Sequence, residues 1–333
     1  MLYNMEKIVG YGELMLRLTP ENDDFLVTFS EKLLSTYGGS EANSLSFLGR
    51  RGYDCEFLSS FPKNELGNKA ISFLKTHGVK VNANIDKHRL GKYFVIPGTN
   101  NKLSKIIYDR KNSSFSKFKL NDSNIKKTLD NCSYLIISGI TPPLSDVCYN
   151  NILKLIEKAK NNDIKIVYDI NYRKDLWSKD DCKNFNLKIL SHIDILFTNS
   201  NTFNYVFDIN PKLKLDGFYD ESEETLKYIL KENKTPTICM TVRNKNQIGG
   251  LIFKDKKINK SEVYDIDHVD RVGAGDSFTG AVLYGFLKGW SDDKIISFAT
   301  ASFAISHTKF GDVNCFNDNE IERFKMNNSI TDA

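Results

Sequence analysis

Short apolar runs alternate with amphipathic helical patterns through most of this 333-residue chain. The runs that we predict as strands are Lys7–Gly10, Cys55–Ser59, Tyr134–Ser138, Ile164–Asp169, Ile195–Thr198 and Thr237–Thr241. The helical patterns lie near Asn64–His77, Leu144–Asn161, Cys182–Ser191 and Ser222–Lys231. This alternation predicts an α/β fold in which helices cover both faces of a mostly parallel sheet.

Several polar residues fall where the predicted strands end. Asp169, Asn199 and Thr241 stand at or just after a strand, and a glycine-rich loop at Gly273 follows another strand-like segment. Binding sites in parallel sheets lie beyond the carboxyl ends of the strands. We therefore expect these four positions to lie close to one site.

Two stretches, Glu13–Thr19 and Gly91–Arg110, look like short strands without a helix between them and their neighbours. Within the second stretch, Lys92–Ile96 and Ser104–Tyr108 are expected to pair as a hairpin across the turn Pro97–Lys102. We interpret these strands as an antiparallel insert that forms a lid over the site. The sequence thus predicts a single domain over residues 1–333, with lid segments at about 13–36 and 90–115.

The composition argues against several classes of function. Lys and Arg number 46 against 42 for Asp and Glu, so the net charge of +4 gives no reason to expect a nucleic-acid partner. The six cysteines form no C-x-x-C pair and do not cluster with histidine, which argues against disulfides and zinc. No apolar segment approaches the length of a membrane span. We expect a cytoplasmic protein without a membrane partner.

The run Asp270-Arg271-Val272-Gly273-Ala274-Gly275-Asp276-Ser277-Phe278 places three small residues between a strand-like segment and an apolar helical run. Small residues let a phosphate approach the backbone, and N–H groups at the N-terminus of a helix attract anions. Asp276 is a carboxylate at that end, where it can accept the proton of a hydroxyl group. This pattern indicates phosphoryl transfer to an alcohol. The alternative is a glycine turn whose Asp caps a helix.

A second motif reads Tyr37-Gly38-Gly39-Ser40-Glu41-Ala42-Asn43. Gly38 and Gly39 let a substrate hydroxyl approach the backbone, and the Asn43 amide offers both a donor and an acceptor, which suits a sugar. The alternative is a glycine turn at a helix N-terminus, with Asn43 as a solvated residue of the first turn.

Two arginines bear on the substrate. Arg110 ends the run Tyr108-Asp109-Arg110 of the expected lid, and Arg173 follows a strand in Asp169-Ile170-Asn171-Tyr172-Arg173. A neutral hexose does not need a guanidinium, whereas a buried carboxylate requires a paired charge. Both arginines therefore favour a sugar acid. The alternatives are a solvated lid charge for Arg110 and a structural ion pair with Asp169 or Asp175 for Arg173.

The run D-R-V-G-A-G-D-S-F-x-x-G resembles the C-terminal signature of the ribokinase-like (PfkB) sugar kinases, and the resemblance extends from about Lys7 to Phe324. It implies a three-layer α/β/α fold with a small β-sheet lid that often forms a dimer interface. It also implies an anion hole at Gly273, Ala274 and Gly275, with Asp276 as the catalytic base. The implied cofactors are ATP and Mg²⁺, and a monovalent cation is a further candidate.

Within that family, G-E-x-M-L-R-L, G-G-x-E-A-N, Y-x-R and D-x-N-x-R-x-x-L-W together resemble the 2-keto-3-deoxygluconate kinases. By this resemblance, the residues that contact the sugar acid are Gly38, Gly39, Asn43, Tyr93, Tyr108, Arg110 and Arg173, together with the base Asp276. The expected reaction is ATP-dependent phosphorylation of the primary hydroxyl of 2-keto-3-deoxygluconate. The alternatives are a neutral-sugar kinase of the fructokinase or ribokinase type, a non-catalytic sugar or nucleotide sensor, or a nucleoside kinase, which the two arginines fit less well.

The nucleotide side departs from the family pattern. The resemblance places Asn171, Asn199 and Thr241 there, with Arg243 as a further candidate. The usual N-x-x-E reads Asn199-Ser200-Asn201-Thr202, so the glutamate that orders magnesium-bound water is missing. The usual T-x-G-x-x-G turn reads Thr241-Val242-Arg243-Asn244-Lys245-Asn246. The sequence therefore identifies no metal ligand.

Overall fold

The computed structural model describes residues 6–21, 32–96, 105–211, 217–232 and 235–330. Its strands are β1 (Lys7–Tyr11), β2 (Met15–Pro20), β3 (Leu33–Gly38), β4 (Asp54–Pro62), β5 (Val79–Asp86), β6 (Lys92–Ile96), β7 (Lys105–Asp109), β8 (Cys132–Ser138), β9 (Lys165–Asp169), β10 (Ile195–Thr198), β11 (Thr237–Asn244), β12 (Gln247–Lys254), β13 (Lys257–Lys260), β14 (Val263–Asp265) and β15 (Ser329–Ile330).

The helices are α1 (Ser40–Gly49), α2 (Glu65–Thr76), α3 (Ser114–Lys117), α4 (Asp122–Leu129), α5 (Asp146–Asn161), α6 (Lys179–Ile189), α7 (Ser200–Phe207), α8 (Asp220–Glu232), α9 (Ala274–Leu287), α10 (Asp292–Ser306) and α11 (Asp318–Asn328). None of these helices is long and apolar enough to cross a bilayer, a statement that covers only the described ranges.

The described residues form one large sheet and one small sheet. The large sheet has eleven strands in the order β15-β14-β12-β11-β10-β9-β8-β1-β4-β5, with β13 paired to β12. Its strands from β5 across to β11 are parallel, and β12 to β15 pair antiparallel at one end. The predicted mostly parallel sheet is confirmed, and all six predicted strands lie in its parallel part.

In the large sheet, the strands that were not predicted are β5, β12, β13 and β15, whereas β14 begins the strand-like segment Val263–Val269 that precedes the Gly273 loop. β5 lies at the sheet edge, and most of its residues are only half-buried, so its apolar pattern is weak. β12 contains the Gly249-Gly250 pair, and glycine inside a strand weakens the strand pattern of the sequence. A Cβ at Gly250 would lie 2.5 Å from Oγ1 of Thr300 in α10, so glycine lets that helix pack closely on the strand.

The side chains of β1 alternate between the two faces of the sheet, as expected for a strand. Ile8 packs into a core with residues of α1, α9 and α10. Its neighbour Val9 packs into a second core with residues of α5, α6 and α8. The predicted three-layer α/β/α arrangement is therefore confirmed.

The small sheet has the order β3-β2-β6-β7. The predicted hairpin between β6 and β7 is present, although its turn Pro97–Lys102, Ser104, and residues 22–31 of the first segment lie outside the described residues. β2 and β3 also pair antiparallel, but β2 and β6 are parallel. The insert is therefore antiparallel within each hairpin and parallel between them, because the two hairpins lie side by side through β2 and β6, which run in the same direction.

Helices α1 and α9 pack closely enough to bring their N-termini together. A Cβ at Gly280 of α9 would lie 2.8 Å from Cβ of Phe47 and 3.1 Å from the carbonyl oxygen of Ser44. The Ser44 hydroxyl donates a hydrogen bond of 3.1 Å to the carbonyl oxygen of Asp276. The spacing of the two helices therefore depends on the missing side chain at Gly280.

We expect Gly280→Ala to lower the free energy of unfolding by roughly 1–3 kcal/mol relative to Gly275→Ala, because only the first variant overpacks the helix contact. Gly275 lies in the same helix, and its Cβ would meet no atom within 4 Å, so Gly275→Ala is a control that adds a methyl group without overpacking. Urea denaturation of the two variants measures the difference. Equal stability would show that α1 and α9 can separate without cost.

Candidate active site

A cavity of about 560 Å³ lies between the carboxyl ends of the central strands and the small sheet. It brings together all but one of the predicted site residues. Those that line it are Gly38, Gly39, Asn43, Tyr93, Tyr108, Arg110, Asn171, Arg173, Asn199, Thr241, Arg243, Gly273, Gly275 and Asp276. The exception is Ala274, whose side chain is fully buried in the core against the sheet.

Two helices begin at this cavity without a side-chain cap. The N-cap residues of α1 and α9 are Gly39 and Gly273, and neither helix end has a side chain that accepts from its first N–H groups. Gly273 has a φ of 80°, which favours glycine because a Cβ is strained there. Uncapped N–H groups and the positive end of the helix dipole favour a bound anion at these positions.

Asp276 lies in the first turn of α9 and is held by α1. One carboxylate oxygen accepts a 2.7 Å hydrogen bond from the Ser40 hydroxyl, and the other accepts a 2.7 Å bond from the Asn43 amide nitrogen. Asn43 is only 3% exposed, so the alternative of a solvated first-turn residue does not hold. Asn171, predicted on the nucleotide side, lines the same cavity and donates to the Ser40 hydroxyl at 3.3 Å.

Burial raises the pKa of four carboxyl groups at the cavity, those of Asp276, Asp169, Glu41 and Asp312, and it brings the first three to about 6 or 7. Burial raises the pKa of Asp276 to about 7, opposed by the hydrogen bonds from Asn43 and Ser40. Burial raises the pKa of Asp169 to about 6, opposed chiefly by the positive charge of Arg173. Burial also raises the pKa of Glu41 to about 7. Asp276, Asp169 and Glu41 can therefore exchange protons near neutral pH.

Arg110 is neither exposed nor free. It is 9% exposed, and its guanidinium forms an ion pair with Glu13, including a 2.8 Å bond from Nε to Oε2. The alternative of a solvated lid charge is therefore excluded. Oε1 of Glu13 is buried without a hydrogen-bond partner. Because both contacts from Arg110 reach one carboxylate oxygen, the guanidinium retains N–H groups that can face the cavity.

Arg173 is exposed, and it forms no ion pair within 4 Å with Asp169 or Asp175 in the described structure. The structural ion pair that we considered is therefore absent, although the Arg173 charge still lowers the pKa of Asp169. Tyr93 is almost fully buried and packs against Tyr108, with ring centroids 5.9 Å apart. The small sheet thus supplies aromatic walls to the cavity.

The other half of the cavity carries the predicted nucleotide residues. Asn199 caps α7 by accepting a 2.8 Å hydrogen bond from the N–H of Thr202, so its amide nitrogen is the part left for a ligand. Arg243 lies over the ring of Phe303, 4.7 Å from its centroid. Arg271 is exposed and lines the same half. Among the described residues no group of three or more His, Cys, Asp or Glu side chains could hold a metal ion.

Several residues that shape this site were not predicted from the sequence. These are Glu13, Arg17, Ser40, Glu41, Arg271 and Asp312. Ser40 and Glu41 lie inside the G-G-x-E-A-N motif, and Arg271 lies inside D-R-V-G-A-G-D, so their positions were visible. Their partners were not, because each contact joins residues from distant parts of the chain.

Comparison with known proteins identifies the class of enzyme that carries this site. The family model described as pfkB family carbohydrate kinase matches residues 5–319. The chain therefore belongs to the pfkB family of carbohydrate kinases, which transfer a phosphoryl group to an alcohol.

Within this family, several similar proteins are kinases named for dehydro-deoxy sugar derivatives. It is 26% identical over 318 residues to a 2-dehydro-3-deoxygalactonokinase of Haloferax volcanii, covering 95% of this chain and 96% of that protein. It is 22% identical over 302 residues to a 5-dehydro-2-deoxygluconokinase of Clostridium beijerinckii, covering 90% and 86%. The crystal structure of 2-dehydro-3-deoxygluconokinase from Thermotoga maritima matches with a TM-score of 0.89 at 30% identity, covering 96% of this chain and 99% of that one.

We expect Asn43→Ala to raise the pKa of Asp276 above its value of about 7, because the lost hydrogen bond favours the ionised carboxylate. Carbon-13 NMR of labelled aspartate, assigned with Asp276→Asn, measures this pKa. Ser44→Ala is the matched control, because the Ser44 hydroxyl donates to the main-chain carbonyl of Asp276 and not to its carboxylate. An unchanged pKa in Asn43→Ala would mean that the amide does not stabilise the charge.

Proposed function

We propose that this kinase uses ATP to phosphorylate the primary hydroxyl of 2-keto-3-deoxygluconate. The observation that carries the proposal is the position of Asp276, held by two hydrogen bonds at the uncapped N-terminus of α9. Arg110 and Arg173 line the same cavity. The similarity to kinases named for 2-dehydro-3-deoxy acids, in which "dehydro" denotes the keto group, supports a sugar acid as substrate.

In this mechanism Asp276 accepts the proton of the sugar hydroxyl as its oxygen forms a bond to the γ-phosphorus of ATP. The bond from that phosphorus to the bridging oxygen breaks, and ADP leaves. With a pKa of about 7, Asp276 is a stronger base than an ordinary carboxylate and is still largely ionised just above neutral pH. The main-chain N–H groups of Gly273, Ala274 and Gly275 stabilise the charge on the transferring group.

The two arginines have different roles in binding the substrate carboxylate. Glu13 already compensates the charge of Arg110, so Arg110 contributes directed hydrogen bonds and little net charge. Arg173 has no carboxylate within 4 Å among the described residues and supplies the net positive charge. Gly38, Gly39, Asn43, Tyr93 and Tyr108 complete the sugar site.

The nucleotide half fits ATP better than it fits a preformed metal site. Arg243, Arg271 and the N-terminus of α9 face the position of the phosphates, with Asn199 and Thr241 beside them. Bound Mg²⁺ would neutralise the phosphate oxygens. Because Asn199-Ser200-Asn201-Thr202 contains no carboxylate, Asp169 is the acidic group that would help to hold it, since magnesium commonly binds one or two carboxylates together with substrate phosphates.

Assembly through the small sheet is a second part of the proposal. β3 is an edge strand of this sheet, and Leu34 on it is 54% exposed. An exposed apolar edge strand favours pairing with a second copy. A dimer, a cytoplasmic location and a monovalent-cation requirement stay predictions.

We expect Asp276→Asn to lower kcat by at least about a hundredfold, because the amide cannot accept the hydroxyl proton. Binding of the sugar should be largely unchanged, as calorimetry would show. Asp180→Asn, which removes an exposed carboxylate away from the cavity, should retain normal turnover. Near-normal turnover in Asp276→Asn would contradict the assignment of the base.

We expect Arg173→Met to raise KM for the sugar acid by about 10- to 100-fold, which corresponds to losing a charge-assisted hydrogen bond. Its matched control is Lys174→Met, which removes the neighbouring exposed positive charge outside the cavity. A coupled ADP-release assay with Mg²⁺ and ATP would compare 2-keto-3-deoxygluconate, its galactonate epimer, fructose, ribose and adenosine.

Preference for either sugar acid over the three neutral substrates supports the proposed class, and the ratio of the two epimers decides between them. Preference for a neutral sugar would keep Asp276 as the base but remove the role of Arg173. No turnover with any substrate would favour the non-catalytic sensor.

A further inference from the structure

Arg17 belongs to β2 of the small sheet, yet its side chain is only 1% exposed. Nη2 forms an ion pair with Asp270, and Nη1 lies 2.7 Å from Oδ1 of Asp312. Nε donates to the hydroxyl of Thr19 at 3.1 Å. Every guanidinium nitrogen therefore has a buried partner, and the side chain does not line the cavity.

The two carboxylates that Arg17 joins belong to different loops. Asp270 opens the glycine loop and accepts a 3.0 Å hydrogen bond from the N–H of Val272, which shapes the turn into Gly273. Its second oxygen accepts from the N–H of Gly311 at 3.2 Å. Asp270 therefore fixes the glycine loop to the chain segment that contains Asp312.

That segment lies directly against the proposed anion hole. A Cβ at Gly273 would lie 2.0 Å from the carbonyl oxygen of Asp312, and one at Gly38 would lie 2.3 Å from its carboxylate oxygen Oδ2. The Tyr93 hydroxyl donates to the same Oδ2 at 2.8 Å. A shift of Asp312 would therefore move both Gly273 on the phosphate side and Tyr93 on the sugar side.

We propose that Arg17 is a positioning residue that sets the Gly273 loop for phosphoryl transfer by holding Asp270 and Asp312 together. This inference rests on the proposed kinase function but adds a residue that touches neither substrate. Removing the guanidinium would leave two buried carboxylates without a counter-charge, and their repulsion would separate the two loops. The small sheet would thereby control the geometry of a loop at the far side of the cavity.

Arg17→Lys tests the proposal because one ammonium group keeps the charge but cannot bridge both carboxylates with a planar fork. We expect kcat to fall by about 10- to 100-fold per folded molecule, with a smaller rise in KM for the sugar because Tyr93 shifts with Asp312. Asp312→Asn, which removes one of the two charges, should lower kcat in the same way. Thr19→Val is the matched control, since it removes a hydrogen bond of Arg17 without touching either carboxylate.

Hydrogen exchange measured by mass spectrometry separates this proposal from the proposed function. In protein without substrate, Arg17→Lys and Asp312→Asn should increase exchange in peptides covering residues 270–276 and 308–314, and Thr19→Val should not. If wild type phosphorylates no sugar, the proposed function fails, and these peptides still decide the role of Arg17. Unchanged exchange in both loops of Arg17→Lys and Asp312→Asn would overturn the positioning role of Arg17. A kcat within threefold of wild type in both variants would also overturn it.

Discussion

The site depends on the close packing of α1 on α9, which brings two uncapped helix N-termini to one cavity. Other helices of the described structure are capped by Asn64, Ser113, Asn121, Ser145, Ser178, Asn199 and Ser291. A capping side chain satisfies the N–H groups that a ligand would otherwise use. The first N–H groups of α1 and α9 stay available to a ligand, and Asp276 lies between these two helix N-termini. Under the proposed function, binding and proton transfer both depend on this one helix contact.

The buried Asp276 carboxylate, which is the base in the proposed mechanism, lowers the stability of the folded protein. A carboxylate beside helix N-termini and two hydrogen-bond donors would ordinarily have a low pKa. Burial outweighs these effects and raises the pKa of Asp276 to about 7, with Asp169 and Asp312 as further contributors. Since the ionised form is disfavoured relative to the unfolded chain, the folded state loses stability as the pH rises from about 4 towards 7. Such a cost is typical of catalytic sites.

Much of the fold could be predicted from the sequence because the signals are local. Six central strands and the hairpin of β6 and β7 follow from short apolar runs, and the glycine loop follows from its small residues. The contacts that shape the site are not local: Ser40 meets Asp276 across 236 positions, and Arg17 meets Asp312 across 295. No periodicity encodes such pairs. The alternative of a solvated charge for Arg110 is therefore excluded only by the structure, in which Arg110 is buried beside Glu13.

The charges of the cavity are divided between its two halves. On the sugar side, Arg110 is paired with Glu13. Arg17 of the small sheet is paired with Asp270 and Asp312. On the nucleotide side, Arg243 and Arg271 have no carboxylate within 4 Å in the part of the chain that the structure describes, and the expected glutamate is replaced by Thr202. Arg173 on the sugar side also has no carboxylate within 4 Å among the described residues, so the proposed sugar half holds one uncompensated guanidinium and the proposed nucleotide half holds two. Because a triphosphate carries more charge than a sugar acid, this division fits the proposed function. Thr202 in place of the expected glutamate removes a negative charge, and Arg243 and Arg271 add positive charges without carboxylate partners. Both features make the proposed nucleotide half more positive.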